Sequence, residues 1–360
     1  MAKKIKTGII GVGNCFAGLI QGIEYYKKHQ GKKPIGLMHL KIGPYGFKDI
    51  EFVSAFDVGA NKIGRTLDKA VFAPPNLVRW TKLPKSRVIV RESPILDGVG
   101  IYVENKIKPL KNPTSPEKLK KEIEKEIKRT KTEVLINYLP VGSQKATEFW
   151  ADIALTTKTA LVNCLPAFIA SNKKWAEKFR KAGVPIIGDD IKGQIGATIV
   201  HRILARLCSD RGTTISKTYQ INVGGNTDFL NMLERSRLES KKISKTEAVI
   251  SQISEDIKAD KIYIGPSDFI PFLGNTKLCF LRIEGKMFAD VPYSMELRLD
   301  VDDKANSAGI VIDAVRCAKL ARDRKMRGYI PVSSYYMKHP LVQETDDEAK
   351  KIVERFIAGK

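Results

Sequence analysis

The sequence has few residues of the kinds that build a structural metal site or a disulfide framework. Its 360 residues include four histidines and five cysteines, the cysteines lie far apart, and no CxxC pair occurs. This spacing argues against a disulfide scaffold and against a structural zinc site. No histidine shares a motif with a serine or cysteine nucleophile, which argues against triad chemistry.

Long uncharged apolar runs are also missing. No stretch reaches the roughly 18 apolar residues of a membrane helix, and the start MAKKIKTGIIGVG leads directly into a strand-like run. We therefore expect a soluble, cytoplasmic protein without a membrane partner. The 43% apolar content indicates a packed globular chain, and the length predicts about two domains.

Acidic residues are outnumbered, with 40 Asp and Glu against 62 Lys and Arg and a net charge of +22. Such a balance raises nucleic acid as a partner. The lysines are spread along the whole chain, however, and no RNA-binding motif occurs. We expect small anionic ligands and no specific nucleic-acid binding. A basic nucleic-acid-binding protein built on a degenerate Rossmann fold remains the non-enzymatic alternative.

The first half of the sequence alternates strand-like and helix-like segments. This rhythm predicts an α/β fold, a Rossmann-type doubly wound parallel sheet over residues 1–200, completed by C-terminal helices in 305–360. Near Gly196 the pattern changes, and segments such as SMELRLDVDD alternate apolar and polar residues as half-exposed antiparallel strands do. We predict an inserted α+β domain over 201–304. The helix after Asp303 is expected to begin with a capping Asn306 or Ser307.

The stretch GIIGVGNCFAG predicts a strand, a tight turn and a helix that together could bind a pyrophosphate. Gly11 and Gly13 would let a phosphate approach backbone N–H groups at the helix start, although Phe16 stands where a third glycine is usual. Asp57 ends the second strand and could accept hydrogen bonds from a ribose. It lies 44 residues after Gly13 instead of about 20, which requires an insertion over 29–49. An acid at this position favours NAD over NADP. A structural turn is the alternative.

Two lysines stand four apart in ESKKISKTEAV, the segment from Glu239 to Val249. In a helix Lys241 and Lys245 share one face, where like charges repel by a few tenths of a kcal/mol. The segment is either a solvated basic face or one side of an anion pocket. Two acids lie at the ends of predicted elements, Asp190 after a strand and Asp303 before a helix. Each could belong to a ligand site, and the alternative for each is a helix cap or a loop residue.

A series of motifs resembles the myo-inositol-1-phosphate synthase family, in the form found in archaea and actinobacteria. The likeness runs in order from Gly11 to about Pro340. Its motifs are YLPVGS, GDDIKGQIGAT, VGGNTDFLNMLERSRLESKKISKT, IGPSDF, DVPYSMELRLDVDDKANSAGIVIDAVRCAK and SSYYMKHP. The resemblance implies an isomerase that uses NAD catalytically to convert D-glucose 6-phosphate to 1L-myo-inositol 1-phosphate, the first step of inositol and inositol-phospholipid biosynthesis.

The resemblance also implies a set of catalytic side chains. Lys241 would lie beside the oxyanion that develops at C5, while the other lysines would bind the phosphate and the aldehyde oxygen. Crowding is expected to lower the pKa of at least one of them, and Lys242 is expected to be solvated. The catalytic residues implied are Lys241, Lys245, Lys277, Lys338, Asp190, Asp228 and Asp303.

The cofactor site implied by the resemblance spans several motifs. Its residues are Gly11, Gly13, Asn14, Cys15, Asp57, Asn137, Leu139, Pro140, Gly142, Asp190, Asp303, Asn306 and Ser307. Family members differ in using a divalent ion (Mg, Mn or Zn) or a monovalent cation, and the sequence assigns no metal ligands. The resemblance further implies a homotetramer built through strands such as LCFLRIEG and SMELRLD. An ordinary NAD-dependent sugar-phosphate dehydrogenase that releases NADH is the alternative enzyme.

Overall fold

The structure, a computed structural model, describes residues 4–29, 31, 33–253 and 257–360. Residues 1–3, and residues 30 and 32 of the expected insertion, lie outside this part. The strands are β1 Ile5–Ile10, β2 Lys41–Ile42, β3 Tyr45–Gly46, β4 Ile50–Asp57, β5 Val90–Glu92, β6 Val134–Asn137, β7 Ala160–Asn163, β8 Pro185–Ile187, β9 Thr214–Gly224, β10 Ile262–Phe269, β11 Thr276–Lys286, β12 Pro292–Asp302 and β13 Gly328–Tyr329. The helices are α1 Asn14–Lys28, α2 Leu67–Ala70, α3 Pro116–Thr130, α4 Gln144–Thr157, α5 Lys173–Ala182, α6 Ala197–Asp210, α7 Thr227–Asn231, α8 Glu239–Ile250, α9 Ala305–Asp323, α10 Ser333–Tyr336 and α11 Asp346–Ala358.

A seven-stranded parallel sheet forms the first half of the fold, with the order β13-β8-β7-β6-β1-β4-β5. From β1 the chain adds β4 and β5 on one side of the sheet. It then adds β6, β7, β8 and β13 on the other side, so the strand order reverses between β1 and β6. This is the doubly wound topology that the strand and helix rhythm predicts, and the expected fold class is confirmed. A ligand crevice is expected at this reversal, beyond the carboxyl ends of the strands.

Helices cover both faces of the parallel sheet. On one face α1 and α9 bury side chains such as Phe16 and Val315, and on the other α3, α4 and α5 bury Ile123, Trp150 and Phe179. This double cover explains why the central strands read as continuous apolar runs. Among the described residues, no helix has both the length and the apolar character needed to cross a membrane.

A second, four-stranded sheet has the order β10-β9-β11-β12. Strands β11 and β12 pair antiparallel, as the alternating pattern predicts, and β9 pairs antiparallel with β11 and parallel with β10. Strand β10 was not predicted from its sequence because Pro266 lies within it. Its place at the sheet edge accommodates the proline, since an edge strand leaves some N–H groups unpaired.

After the second sheet the chain returns to the first through α9. This helix begins at Ala305, so the predicted caps at Asn306 and Ser307 are wrong. The Asp302 carboxylate instead accepts hydrogen bonds from the backbone N–H groups of Lys304 and Ala305, at 2.9 and 2.8 Å. A carboxylate suits the positive end of a helix, and Asn306 is thereby free for another role in the site.

The cap of α5 provides a test of this fold away from the cavity. The Asn172 side chain accepts hydrogen bonds from the N–H groups of Lys174 and Trp175. We expect Asn172→Ala to lower the free energy of unfolding by about 1 kcal/mol, measured by urea titration, without changing activity. Asn172→Asp keeps the acceptor and should retain wild-type stability. Equal losses in both variants would contradict the capping role.

Candidate active site

One cavity lies at the carboxyl ends of the parallel strands, between them and the segments that carry α7, α8 and β11. Seven lysines and four aspartates are among its lining residues, an excess of positive charge that suits polyanionic ligands. It brings together all but two of the residues singled out from the sequence, namely Gly11, Gly13, Asn14, Cys15, Asp57, Leu139, Pro140, Asp190, Asp228, Lys241, Lys245, Lys277, Asp303, Asn306, Ser307 and Lys338.

The glycine loop forms one end of the cavity. Gly11 has φ +89°, and a Cβ there would lie 2.9 Å from the carbonyl oxygen of Tyr138, so only glycine fits. A Cβ at Gly13 would meet no atom within 4 Å, which leaves the start of α1 open to a ligand. Phe16 does not obstruct this space because its ring is buried against Phe52, with ring centroids 4.8 Å apart.

Asp57 supports the same loop from the end of β4. Its carboxylate accepts hydrogen bonds from the N–H groups of Val12 and Gly59, at 2.7 and 2.8 Å. The Lys62 ammonium lies 3.5 Å from the same carboxylate and donates to the Val12 carbonyl at 2.8 Å. Asp57 therefore lines the cavity where a ribose is expected and also fixes the backbone of the loop.

Two buried donors in this end of the cavity lack partners among the described residues. They are Nδ2 of Asn14 and the hydroxyl of Tyr138. Buried polar groups are normally hydrogen-bonded, because an unpaired one costs about 1–3 kcal/mol. Both residues line the cavity beside the open start of α1, so the loop has the shape and the spare donors to hold a dinucleotide.

Asn137 and Gly142 do not line the cavity in this structure. Asn137 is fully buried, donates to Asn163 and Thr147, and accepts from the N–H of Leu139, so it shapes the loop that carries the lining residues. Gly142 has φ +86°, and a Cβ there would lie 2.7 Å from the Arg237 side chain. Both residues act behind the cavity wall.

The Asp190 carboxylate is the central acceptor of the other end. It accepts hydrogen bonds from the ammonium groups of Lys241 and Lys338, at 3.0 and 2.9 Å, and from the Ser244 hydroxyl at 2.7 Å. The side chain is buried, which disfavours its charge, yet the two ammonium groups hold its pKa below the ordinary range. Asp190 therefore remains a carboxylate and fixes two lysines from distant parts of the sequence.

Lys241 and Lys245 lie on the same face of α8, as predicted, but their environments differ. Burial disfavours the charge of Lys241, and Asp190 and Asp228 more than offset it, so its pKa is raised. Lys245 is buried and has no carboxylate within ion-pair distance in the described part of the chain. Burial and the neighbouring ammonium groups of Lys277 and Lys241 lower its pKa well below the ordinary value. Lys242 is exposed.

Lys338 has an intermediate environment. Burial lowers its pKa to about 8, although Asp190 opposes the shift. Its ammonium also donates to the Ile191 carbonyl at 2.5 Å. A lysine with this pKa is partly neutral near physiological pH and can exchange protons with a ligand.

Asp303 organises a second group of charges where the two ends of the cavity meet. Its Oδ2 accepts from the Lys304 ammonium at 2.9 Å and from Asn226 Nδ2 at 3.3 Å, and its Oδ1 lies 3.6 Å from the Lys277 ammonium. Both carboxylate oxygens are thus matched with positive charge or a donor. No set of three or more His, Cys, Asp or Glu side chains within the described ranges could hold a metal ion. Because the ammonium groups would repel a divalent ion, these donors do not fit one.

Comparison with known proteins identifies the family. A family model for myo-inositol-1-phosphate synthase matches residues 196–304. An inositol-3-phosphate synthase of Mycolicibacterium smegmatis is 48% identical over 365 residues, covering 99% of each chain. An inositol-3-phosphate synthase of Corynebacterium glutamicum is 47% identical over 98% of each chain. The chain belongs to the myo-inositol-1-phosphate synthase family.

Membership of the myo-inositol-1-phosphate synthase family confirms the resemblance drawn from the motifs and the expected enzyme class, an isomerase. The fold agrees with a solved structure of a myo-inositol-1-phosphate synthase-related protein from Thermotoga maritima. That structure has a TM-score of 0.84 at 23% identity and covers 99% of this chain and 98% of its own.

Two further residues of the family motifs act as supports. The Asn306 amide accepts from the N–H groups of Gln194 and Ile195, at 2.8 and 2.9 Å, and so holds the loop before α6. Asp189, the neighbour of Asp190, is buried and accepts five hydrogen bonds, from Asn163 and from residues 169–171. Adjacent acids thus serve different purposes, one in the cavity wall and one in the scaffold.

The helix with the lysines is held from behind by Arg202. This guanidinium is fully buried and pairs with Asp346 at the start of α11, at 2.8 Å. It also donates to the Ala248 carbonyl and to the Ser251 hydroxyl at the end of α8. The C-terminal helix therefore fixes the position of α8 and of its lysines.

Ser244, Lys62 and Lys304 are among the contributors to the site that were missed from the sequence. Ser244 and Lys62 gave no signal, because a serine within a helix and a lysine in a loop are ordinary. Lys304 did give a sequence signal, because it directly precedes the start of α9, where the helix dipole disfavours a cation. A buried lysine at that position indicates compensation by nearby acids or by an anionic ligand.

The low pKa of Lys245 yields a test. Because the pKa of Lys245 is lowered, binding of a dianionic sugar phosphate beside it should raise that pKa and draw a proton from solution. We expect calorimetry with glucose 6-phosphate, in two buffers of different ionisation enthalpy, to show net proton uptake. Lys245→Met should reduce the uptake and weaken binding about tenfold or more.

Lys242→Met is the matched control, because it removes an exposed lysine from the same helix. It should leave both proton uptake and affinity unchanged. Unaltered uptake in Lys245→Met, or the absence of uptake in the wild type, would contradict a lowered pKa of Lys245 in the free enzyme.

Proposed function

We propose that the protein converts D-glucose 6-phosphate to 1L-myo-inositol 1-phosphate with NAD as a catalytic cofactor. The observation that carries this proposal is the cavity itself. In it a glycine loop suited to a dinucleotide opens onto four of the lining lysines and three of the aspartates, namely Lys241, Lys245, Lys277, Lys338, Asp190, Asp228 and Asp303. The family relationship supports the same reaction, since the Mycolicibacterium relative is an inositol-3-phosphate synthase. The product is an isomer of the substrate, so the reaction causes no net redox change.

The bound cofactor would supply a hydride acceptor for C5 of the sugar and would return the same hydride after ring closure. Between these events a proton leaves C6, and the carbon so activated attacks the C1 aldehyde. Negative charge develops on the C5 oxygen during this sequence. Lys241 is suited to stabilise it, because Asp190 and Asp228 keep its ammonium charged inside a buried site.

The remaining lysines divide the other tasks. Lys277 is fixed by Asp303 and remains available as a cation beside the substrate phosphate or the aldehyde oxygen. Lys338 and Lys245 have lowered pKa values and are assigned the proton exchanges and, when protonated, contacts with the phosphate. The dianionic substrate would offset the mutual repulsion of Lys241 and Lys245, which is the role that the sequence suggested for the pair.

The reaction is tested by phosphorus NMR on enzyme incubated with glucose 6-phosphate and substoichiometric NAD. We expect an inositol 1-phosphate resonance to grow through many turnovers without accumulation of NADH. Lys241→Met should lower kcat by about 10²- to 10³-fold, because it removes a donor to the developing oxyanion. Lys242→Met should retain wild-type kcat.

Two outcomes would contradict the proposal. Stoichiometric NADH formation with an oxidised sugar phosphate would indicate an ordinary dehydrogenase that releases its reduced cofactor. Absence of any product with saturating NAD and added metal ions would indicate a relative that has lost the cyclisation.

We also propose a homotetramer built through the outer face of the second sheet. The inner face is covered by α6, whereas Tyr219, Tyr263 and Phe280 keep about 36–44% of their surface exposed on the sheet. Aromatic side chains of this kind are common in interfaces.

The assembly is tested by light scattering on eluting protein, which should give four times the chain mass. Phe280→Glu should shift the mass to smaller species, because it places charge in the apolar contact. Phe288→Glu, which changes an exposed side chain outside the sheet strands, should not. A monomeric wild type would contradict the proposal.

A further inference from the structure

Lys304 is one of the lining lysines to which the proposed chemistry assigns no task. Its side chain is only 3% exposed, and its ammonium lies 2.9 Å from Asp303 Oδ2 and 3.6 Å from Cys15 Sγ. Burial disfavours the charge, but Asp303 and other nearby groups more than offset it and raise the pKa above the ordinary value. Lys304 is therefore a permanent cation inside the cavity.

The helix ends around this cation favour an anion as its neighbour. Lys304 is the residue before α9, and its ammonium lies beside Cys15, the second residue of α1. The first turn of each helix carries partial positive charge, which disfavours an ammonium group. The Asp303 carboxylate is shared between Lys304 and the Lys277 ammonium, which lies 3.6 Å away.

The surroundings of the Lys304 ammonium point to a phosphate ligand. At the start of α1 the space above Gly13 is open, and Asn14 Nδ2 is buried without a partner among the described residues. Asn14 is 7% exposed and lines the same cavity as Lys304. Helix N–H groups, an unpaired amide donor and a fixed cation converge there, and this is the donor set that a phosphate group requires.

We propose that Lys304 is a built-in cation for the pyrophosphate of the dinucleotide, so that cofactor binding needs no separate metal ion. The inference rests on the proposed use of NAD and adds a residue to it. Asp303 would then hold Lys304 against α1 while it also orients Lys277, which links the cofactor end of the cavity to the end with the reacting sugar. The alternative is a purely structural ion pair that joins α9 to α1.

The proposal is tested by calorimetry, which measures the equilibrium binding of NAD, ADP-ribose and adenosine to the full-length enzyme. Lys304→Gln removes the charge but keeps a donor to Asp303. We expect it to weaken NAD and ADP-ribose about 10- to 100-fold, to leave adenosine unchanged, and to make NAD binding less sensitive to salt. The NAD affinity of Lys304→Arg should stay within a few-fold of that of the wild type. The NAD affinity of Lys242→Met should equal that of the wild type.

Binding of glucose 6-phosphate without cofactor separates the two phosphate sources. It should be unchanged in Lys304→Gln, and selective loss of sugar phosphate affinity would place the cation at the substrate instead and overturn the proposal. EDTA should not alter NAD affinity of the wild type, and a tenfold fall would show that a metal is needed.

A structural ion pair predicts a different pattern. Lys304→Gln would then lower the melting temperature and leave NAD and ADP-ribose affinities equal to those of the wild type, which would overturn the proposal. Should Lys304→Gln not fold, Lys304→Met and the salt dependence of NAD binding to the wild type provide the same comparison. If the wild type itself fails to bind NAD, the proposed function fails first, and this result is distinct from a loss confined to the variant.

Discussion

The buried Asp190 carboxylate is the contact on which the arrangement of the site depends. It holds Lys241 from α8 and Lys338 from the C-terminal segment at hydrogen-bond distance, although these residues are far apart in the sequence. Removal of one partner from a buried ion pair typically costs about 3–5 kcal/mol, because the remaining charge is left uncompensated. The same carboxylate helps to keep Lys241 charged, whereas burial and nearby ammonium groups lower the pKa of its neighbour Lys245. Two lysines on one helix face therefore have opposite pKa shifts.

The rest of the structure brings separate segments to this contact. The parallel sheet presents Asp190 and the glycine loop at the same edge, and the second sheet presents Lys277 opposite them. Arg202 ties α8 to the C-terminal helix, so the lysines are positioned by a segment that does not line the cavity. The glycine loop and the lysine group are thus adjacent because the chain leaves the first sheet and returns to it.

The sequence predicts the periodic parts of this account well. The alternation of strand-like and helix-like segments predicted the parallel sheet, and the alternation of apolar and polar residues predicted the antiparallel strands. The spacing of Lys241 and Lys245 placed both on one helix face but left open whether that face was solvated or part of an anion pocket. Side-chain partners across the fold could not be read in this way. The start of α9 depends on Asp302 rather than on the better capping candidates that follow it, and Lys304 derives its role from contacts with Asp303 and Cys15. Strand β10 contains Pro266 and was not predicted; its pairing with β9 shifts register between Pro266 and Asp268, and it lies at the sheet edge.

A double-mutant cycle on kcat/KM tests the organising role of Asp190 most directly. Asp190 has φ +61°, a conformation that asparagine also tolerates, so Asp190→Asn removes the charge with little change in backbone. If Asp190 acts through Lys241, then Asp190→Asn and Lys241→Met should each lower kcat/KM by about 10²-fold or more, and the double variant should be little worse than the poorer single variant. Fully multiplicative losses, or wild-type kcat/KM in Asp190→Asn, would contradict the account.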